Sequence, residues 1–202
     1  CGASGGVEGA EGPVDAAHRR ATQLALGRNV AVKLLLRGPA ASEEFQKRFD
    51  REARLLTQVT HPNVVMVFDA GRTQDGASFI VMEHLVGETL KERVHRLGRL
   101  PLPAAISILD QVCAGVQAAH AAHLVHRDLK PANVFLAKTS TGKDVIKVLD
   151  FGIARACCLE GSRITQAGIA MGTPGYLSPE QIESAASADV RSDVYALGAI
   201  LS

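Results

Sequence analysis

Short apolar runs separated by turn residues mark the first third of the chain. Val30 to Leu36 is β-branched and apolar apart from Lys33, which is typical of a buried strand. Val64 to Phe68 and Ser78 to Val81 read as two more strands, with turn residues from Gly71 to Gly76 between them. The pattern predicts a small sheet that buries one lysine.

A helix is predicted between the first two of these strands. Ser42 is a suitable N-cap with acidic residues after it, and an apolar stripe follows at a spacing of three to four residues. The stripe consists of Phe45, Phe49 and Leu56, and Glu52 lies on the same face as a charged exception. Burying Lys33 or Glu52 alone would cost several kcal/mol, so we expect the two to neutralise each other. A lysine held by a carboxylate also suits phosphate oxygens, so the pair has a structural and a functional interpretation.

The second half of the chain begins with a helical period. From Pro101 onward the repeating apolar positions are Ile106, Leu109, Val112 or Cys113, Val116 and Ala119. Val134 to Leu136 and Val145 to Leu149 flank the polar turn Thr139 to Asp144, which predicts a hairpin.

Composition narrows the classes of partner. The 202 residues are 47% hydrophobic and carry 22 basic against 21 acidic side chains, a net charge of +1. This balance gives no reason to expect nucleic acid or an anionic membrane as the main partner. We see no run of about 20 apolar residues and no signal peptide, and four cysteines make no disulfide framework. A cytoplasmic location without a membrane segment is the resulting expectation.

The segment from His126 to Asn133 concentrates chemistry in one loop before a strand. Phosphoryl transfer needs a carboxylate to orient the attacking hydroxyl, a cation for the developing charge, and oxygen ligands for magnesium. Asp128, Lys130 and Asn133 supply these groups. One hairpin later, Asp150 to Gly152 presents a second carboxylate, and the two motifs together are highly specific.

With these motifs the chain resembles the Hanks-type, or eukaryotic-like, serine/threonine protein kinases. The particular residues in its motifs resemble those of the bacterial branch. The resemblance covers roughly Val30 to the end and implies an α+β, bilobal protein-kinase-like fold. Residues 1–84 would form a small β-sheet N-lobe with one main helix, with 1–29 irregular. Residues 85–202 would form a partial, mainly helical C-lobe.

The resemblance also assigns roles to individual residues. Asp128 would be the catalytic base, assisted by Lys130, and Asn133 and Asp150 would hold Mg²⁺, with Mn²⁺ as an alternative. Lys33 would contact the phosphates of ATP beside Glu52. The residues expected around adenine are Ala31 and Phe135 on its faces, Met82 as gatekeeper, and the backbone of Glu83 and Leu85.

The family's glycine-rich loop over the phosphates has only a partial counterpart. The best register is Val7-x-Gly9-x-x-Gly12-x-Val14, which lacks the first glycine and contains Pro13. It assigns Gly9, Gly12 and Val14 to nucleotide binding. The stretch from His18 to Arg28 is longer than the connection usual in this family.

The segment from Gly172 to Glu180 resembles the part of the family that receives the substrate hydroxyl. Together with Lys130, Thr173 indicates serine or threonine of proteins as the substrate. Arg127 resembles the arginine that pairs with a phosphate on the activation segment, here Ala156 to Met171, with Thr165 as a candidate site. Autophosphorylation by self-association is therefore expected, and Asp193 would support the catalytic loop.

Two alternatives remain at this stage. A pseudokinase, acting as a nucleotide-binding or scaffolding module, would explain the irregular glycine loop. A small-molecule phosphotransferase of the aminoglycoside type would share the aspartates and the asparagine, but Lys130 and the Gly172 to Glu180 segment favour protein substrates. Both ends of the chain look cut, and we expect this length alone to be poorly stable or inactive.

Overall fold

A computed structural model describes residues 16–24, 26–35, 43–74, 76–139, 142–151, 174–184 and 187–202. The first sheet consists of β1 (Ala16–Gln23), β2 (Arg28–Leu35), β3 (Val67–Arg72) and β4 (Ser78–Glu83). Its strands lie in the order β1-β2-β4-β3, and all neighbours are antiparallel. The predicted strands at Val30 and Ser78 are confirmed.

Two expectations about this sheet were wrong. The irregular stretch predicted for residues 1–29 contains a strand, because residues 16–23 form β1, which pairs along its whole length with β2 through a turn at Gly27 (φ 61°). The strand expected from Val64 begins at Val67 instead. Val64 and Val65 are buried in a loop, where the amide of Val65 donates to the carbonyl oxygen of Val148 at 3.0 Å. Their apolar character reflects burial against another strand.

Helix α1 (Glu43–Gln58) packs on β3 and supplies the predicted apolar stripe. Phe49, Ala53 and Leu56 are buried, and Glu52 is half-buried on the same face. A charged residue at a core-facing position needs a partner of opposite charge, which the site provides.

The second sheet has the order β5-β6-β7, and its first strand, β5, is the next element in the chain after β4. It consists of β5 (Gly87–Thr89), β6 (Val134–Lys138) and β7 (Asp144–Val148), so the predicted hairpin is confirmed. Helix α2 (Leu90–Leu97) starts from β5 with a capping box: the amide of Glu92 donates to Oγ1 of Thr89, and the amide of Thr89 donates to the Glu92 carboxylate.

Helix α3 (Leu102–Ala121) is the helix predicted from Pro101. Its buried face carries Val112, Gly115, Val116 and Ala119, whereas Ile106 is 55% exposed, contrary to the sequence period. By length and mean hydropathy (1.3) α3 could cross a membrane, a property the sequence analysis did not register. One such helix is weak evidence, because a core helix of a globular domain passes the same test.

The chain continues into α4 (Pro179–Glu183) and α5 (Val190–Leu201). Helix α5 is capped by Asp189, packs on α3, and buries Ser192, Asp193 and Ala196. One cluster of buried apolar residues runs from α1 and the first sheet to α3, the second sheet and α5. This core holds the loops before β6 and after β7 between the two halves of the described chain.

Candidate active site

A tight turn brings the polar residues of the loop before β6 together. A 3₁₀ turn over Pro131–Asn133 folds Asn133 back, so that its Nδ2 donates to the backbone oxygen of Asp128 at 2.7 Å. The Nζ atom of Lys130 lies 2.8 Å from Oδ2 of Asp128. All three predicted residues therefore meet at Asp128, whose carboxylate contacts Lys130 at 2.8 Å and the Asn133 amide at 3.4 Å.

Helix α5 supports this loop from behind. Asp193, which is 1% exposed, accepts the backbone N–H groups of His126 (2.8 Å) and Arg127 (2.9 Å). These two bonds hold Arg127 in a left-handed conformation, with φ 65°. The predicted supporting contact of Asp193 is present in the structure.

Two further residues of this support were missed by the sequence analysis. Nε2 of His120 lies 2.7 Å from Asp193, and Nε2 of Gln181 donates to the carbonyl oxygen of Arg127 at 2.8 Å. Neither has a local signal, because His120 sits at the end of an apolar helix and Gln181 follows a proline in α4. Only the fold brings them to the loop.

His126 links the loop to the segment after β7. Its ring is fully buried and lies 4.8 Å from the ring of Phe151, and its Nε2 lies 2.8 Å from the carbonyl oxygen of Leu149. Desolvation by burial lowers the pKa of His126 below its ordinary value, although Asp193 and the Leu149 carbonyl act in the opposite direction. The ring is therefore neutral at neutral pH.

The partner of Lys33 differs from the prediction. Its Nζ atom lies 2.7 Å from Oδ1 of Asp150, whereas Glu52 accepts a hydrogen bond from Nη1 of Arg127 at 2.6 Å. The expected Lys33–Glu52 pair is replaced by two others that neutralise the same charges. Both Arg127 and Asp150 have left-handed backbones (φ 65° and 51°), which set the direction of their side chains and which no sequence pattern predicts.

With Arg127 as its partner, Glu52 forms a hydrogen bond through only one of its two carboxylate oxygens within the described part of the chain. Its Oε2 atom is buried and has no hydrogen-bond partner among the described residues. Close by, a small cavity of about 20 Å³ is lined by Lys33, Asp150, Phe151, Met82 and apolar neighbours. Met82, the predicted gatekeeper, is buried (8% exposed) and lines this cavity.

The residues predicted to surround adenine lie on or beside the strands of the two sheets. Ala31 pairs with Met82 across β2 and β4, and Phe135 lies on β6. The amide of Glu83 donates to the carbonyl oxygen of Met66 at 2.9 Å. Leu85 is half-buried in the connection to β5.

A larger cavity of about 840 Å³ lies elsewhere, between α2, α3 and α5. Lys130 and Pro131 border it, but Lys33, Glu83 and Asp150 do not, so it is not the predicted nucleotide site. The remaining predicted site residues, namely Gly9, Gly12, Val14, Thr165 and Thr173, lie outside the described residues.

The donor set fits a hard divalent cation. Asn133 and Asp150 offer oxygen ligands, which Mg²⁺ prefers. The bond from Nδ2 of Asn133 to Asp128 orients the amide, so that Oδ1 is the atom that would bind a cation. A four-stranded antiparallel sheet with one helix, joined to a helical part that carries this loop, is the arrangement of the protein kinase fold.

Comparison with known proteins gives the family. The model of the protein kinase domain matches residues 8–202, so the chain belongs to the protein kinase family. Serine/threonine-protein kinase pkn3 of Myxococcus xanthus is 40% identical over 184 residues, which cover 90% of this chain and 34% of that protein. PknB of Mycobacterium tuberculosis is 41% identical over 184 residues, again 90% of this chain but 29% of that protein.

Solved structures agree with the fold. The kinase domain of Mycobacterium tuberculosis PknI superposes with a TM-score of 0.71 at 27% identity, covering 91% of this chain and 64% of that one. The resemblance to bacterial serine/threonine kinases and the bilobal α+β fold are confirmed. The chain spans about a third of the length of the two curated relatives.

Proposed function

We propose that the protein containing this chain transfers the γ-phosphoryl group of ATP to serine or threonine hydroxyls of proteins. The observation that carries this proposal is the convergence of Lys130 and Asn133 on Asp128, within a fold that also pairs Lys33 with Asp150. Family membership and the names of the relatives support it.

Each residue has a defined part in the reaction. Asp128 orients the substrate hydroxyl and accepts its proton as the oxygen attacks the γ-phosphorus and the bond to the β-phosphate oxygen breaks. Lys130, already 2.8 Å from Asp128, lies where it can neutralise charge on the transferred group. Lys33 binds phosphate oxygens, and the carbonyl of Glu83 and the amide of Leu85 receive adenine.

Family membership implies a divalent cation, and we propose Mg²⁺, with Mn²⁺ as a substitute. A bound cation would neutralise phosphate charge in the transition state. Asn133 and Asp150 would hold it, and Asp150 would then exchange part of its contact with Lys33 for the cation. Lys33 would then be able to contact the phosphates of the nucleotide.

The biological setting is part of the same proposal. We propose protein substrates, self-association that permits autophosphorylation at Thr165, and a cytoplasmic location for this part of the protein. The presence of Lys33, Glu52, Asp128, Asn133 and Asp150 argues for catalysis over a pseudokinase scaffold.

The test is transfer of radiolabelled phosphate from Mg-ATP to a generic serine/threonine substrate. Asp128→Asn should reduce kcat by about a hundredfold or more, because the proton acceptor is lost while the shape is retained. Asp110→Asn, at an exposed position on α3, is the matched control and should keep wild-type turnover. A folded wild-type protein that binds ATP and transfers nothing would instead favour the scaffold alternative.

A further inference from the structure

A junction of three segments lies behind the adenine end of the site. Oε1 of Glu83 accepts hydrogen bonds from the backbone amide of Met66 at 2.8 Å and from Nζ of Lys147 at 2.7 Å. The Glu83 amide returns a bond to the Met66 carbonyl at 2.9 Å. One side chain at the end of β4 is therefore bound both to the loop before β3 and to β7.

The loop and β7 are also joined directly. The amide of Val148 donates to the carbonyl oxygen of Asn63 at 2.8 Å, and Val65 donates to Val148 at 3.0 Å. Nζ of Lys147 also lies 3.4 Å from the carbonyl oxygen of Val64. The Glu83–Lys147 ion pair thus closes a ring of contacts that connects the first sheet to the second.

Each segment of this ring leads to a different part of the nucleotide site. Glu83 itself presents the carbonyl proposed for adenine. Phe135, proposed for the face of the base, is the cross-strand partner of Lys147 in the β6–β7 ladder. Asp150, the proposed metal ligand, follows Lys147 by three residues.

Burial distinguishes this pair from the ordinary surface ion pairs of the chain. The side chains of Lys147 and Glu83 are 14% and 24% exposed. Because water is partly excluded, the contact is stronger and geometrically better defined than a solvated pair. On the same hairpin, Lys138 pairs with Asp144 at the same distance of 2.7 Å, but it is 50% exposed and far along the ladder from Lys147.

We propose that Lys147 is a positioning residue for the nucleotide: its ion pair with Glu83 fixes the adenine edge relative to Phe135 and to the strand that leads to Asp150. This inference rests on the proposed kinase function. Lys147 acts through Glu83, so its loss weakens ATP binding while the groups that perform the transfer stay in place.

The experiment measures KM for ATP and kcat separately in the protein that contains this chain, because this length alone is expected to be inactive. Lys147→Met keeps a side chain of similar length but removes its charge. We expect KM for ATP to rise about tenfold, an effect of the size expected when one hydrogen bond to a charged partner is lost. The kcat should change less than about threefold. Lys147→Arg keeps a charged donor and should hold KM within about threefold of wild type.

Lys138→Met is the matched control, since it removes a lysine from an ion pair on the same hairpin that does not involve Glu83, and its KM should equal that of wild type. If wild type transfers phosphate and Lys147→Met leaves KM unchanged, raises kcat at constant KM, or behaves like Lys138→Met, the inference is wrong. If wild type transfers nothing, the proposed function fails first. Should Lys147→Met not fold, the shorter, uncharged Lys147→Gln makes the same comparison.

Discussion

At the scale of single residues, four charged side chains of the site form two ion pairs. Lys33 holds Asp150, and Arg127 holds Glu52. The arrangement neutralises every charge once, yet it separates Lys33 from the helix that carries Glu52. A cation or phosphates bound in this site would compete for Asp150 and Lys33.

The Arg127–Glu52 contact should be measurable as stability. Arg127→Met leaves the Glu52 carboxylate, 14% exposed, without a cation, and we expect the free energy of unfolding in urea to fall by about 2 kcal/mol. Adding Glu52→Gln removes the unpaired charge and should restore part of the loss. A double variant no more stable than Arg127→Met would contradict this account. Arg191→Met, which breaks a solvent-exposed pair with Asp189, should leave the midpoint nearly unchanged.

The sequence predicted the members of the site better than their pairing. Asp128, Lys130 and Asn133 are adjacent in the chain, so one local turn brings them together and the motif suffices. The Arg127–Glu52 contact joins residues 75 positions apart and depends on the left-handed φ of Arg127. Side-chain direction of that kind follows from the tertiary contacts of Asp193 and Gln181, which no local pattern encodes.

At the scale of elements, helix α3 and the loop before β3 are fitted to each other at a glycine. Asn63 in that loop donates from Nδ2 to Oε1 of Gln111 at 3.2 Å and to the carbonyl oxygen of Ile146 at 2.8 Å. A Cβ atom at Gly115 would lie 2.6 Å from the carbonyl oxygen of Asn63. The helix can approach the loop only because position 115 has no side chain.

Gly115→Ala therefore tests this contact. In an unobstructed helix the change to alanine stabilises by about 0.5 to 1 kcal/mol, but here the backbone of Asn63 must move, and we expect a net loss of about 2 kcal/mol. Gly198→Ala in α5 is the control, because no described atom lies within 4 Å of its added Cβ, and it should raise the melting temperature. If the two variants change stability by the same amount, the contact between α3 and the loop before β3 can accommodate a side chain at position 115, and the prediction is wrong.

Element boundaries show where sequence patterns stop being informative. The period of three to four residues predicted α1 and α3, and two apolar runs on either side of a polar turn predicted the β6–β7 hairpin. Val64 and Val65 were assigned to a strand because burial against Val148 makes a loop as apolar as a strand. Helix α2 was missed, although the sequence Thr89-Leu90-Lys91-Glu92 is a capping box that could have indicated its start.

At the scale of the whole molecule, the fold requires one histidine to stay neutral. Nε2 of His126 lies 2.8 Å from the Leu149 carbonyl, so this nitrogen carries the donated proton, and Nδ1 accepts the amide of Asp128 at 3.3 Å. Protonation of Nδ1 would place two donors against each other in a fully buried site. Because this core ring joins the loop before β6 to the segment after β7, its charging destabilises both halves.

The sign of the pH dependence follows from linkage. The pKa of His126 is lowered in the folded state, while the unfolded chain titrates near the ordinary histidine value of about 6.5. Below that pH the unfolded state binds more protons, so the stability present above pH of about 6.5 is lost as the pH falls, by at most about 1.4 kcal/mol per pH unit for one group. Carboxylates act in a lower range. Burial acts to raise the pKa of Asp144, but hydrogen bonds from Lys138 and Arg93 outweigh it and lower that pKa.

Urea unfolding at pH 7.5 and at pH 5.5 separates these contributions. Wild type should lose stability between the two values, and His126→Gln, which has no titratable ring, should lose clearly less, whatever its absolute stability. His95→Gln, at an exposed position on α2, should keep the full wild-type dependence. If His126→Gln loses as much stability as wild type between the two pH values, the pH sensitivity comes from other groups and the account of a buried, neutral His126 is wrong.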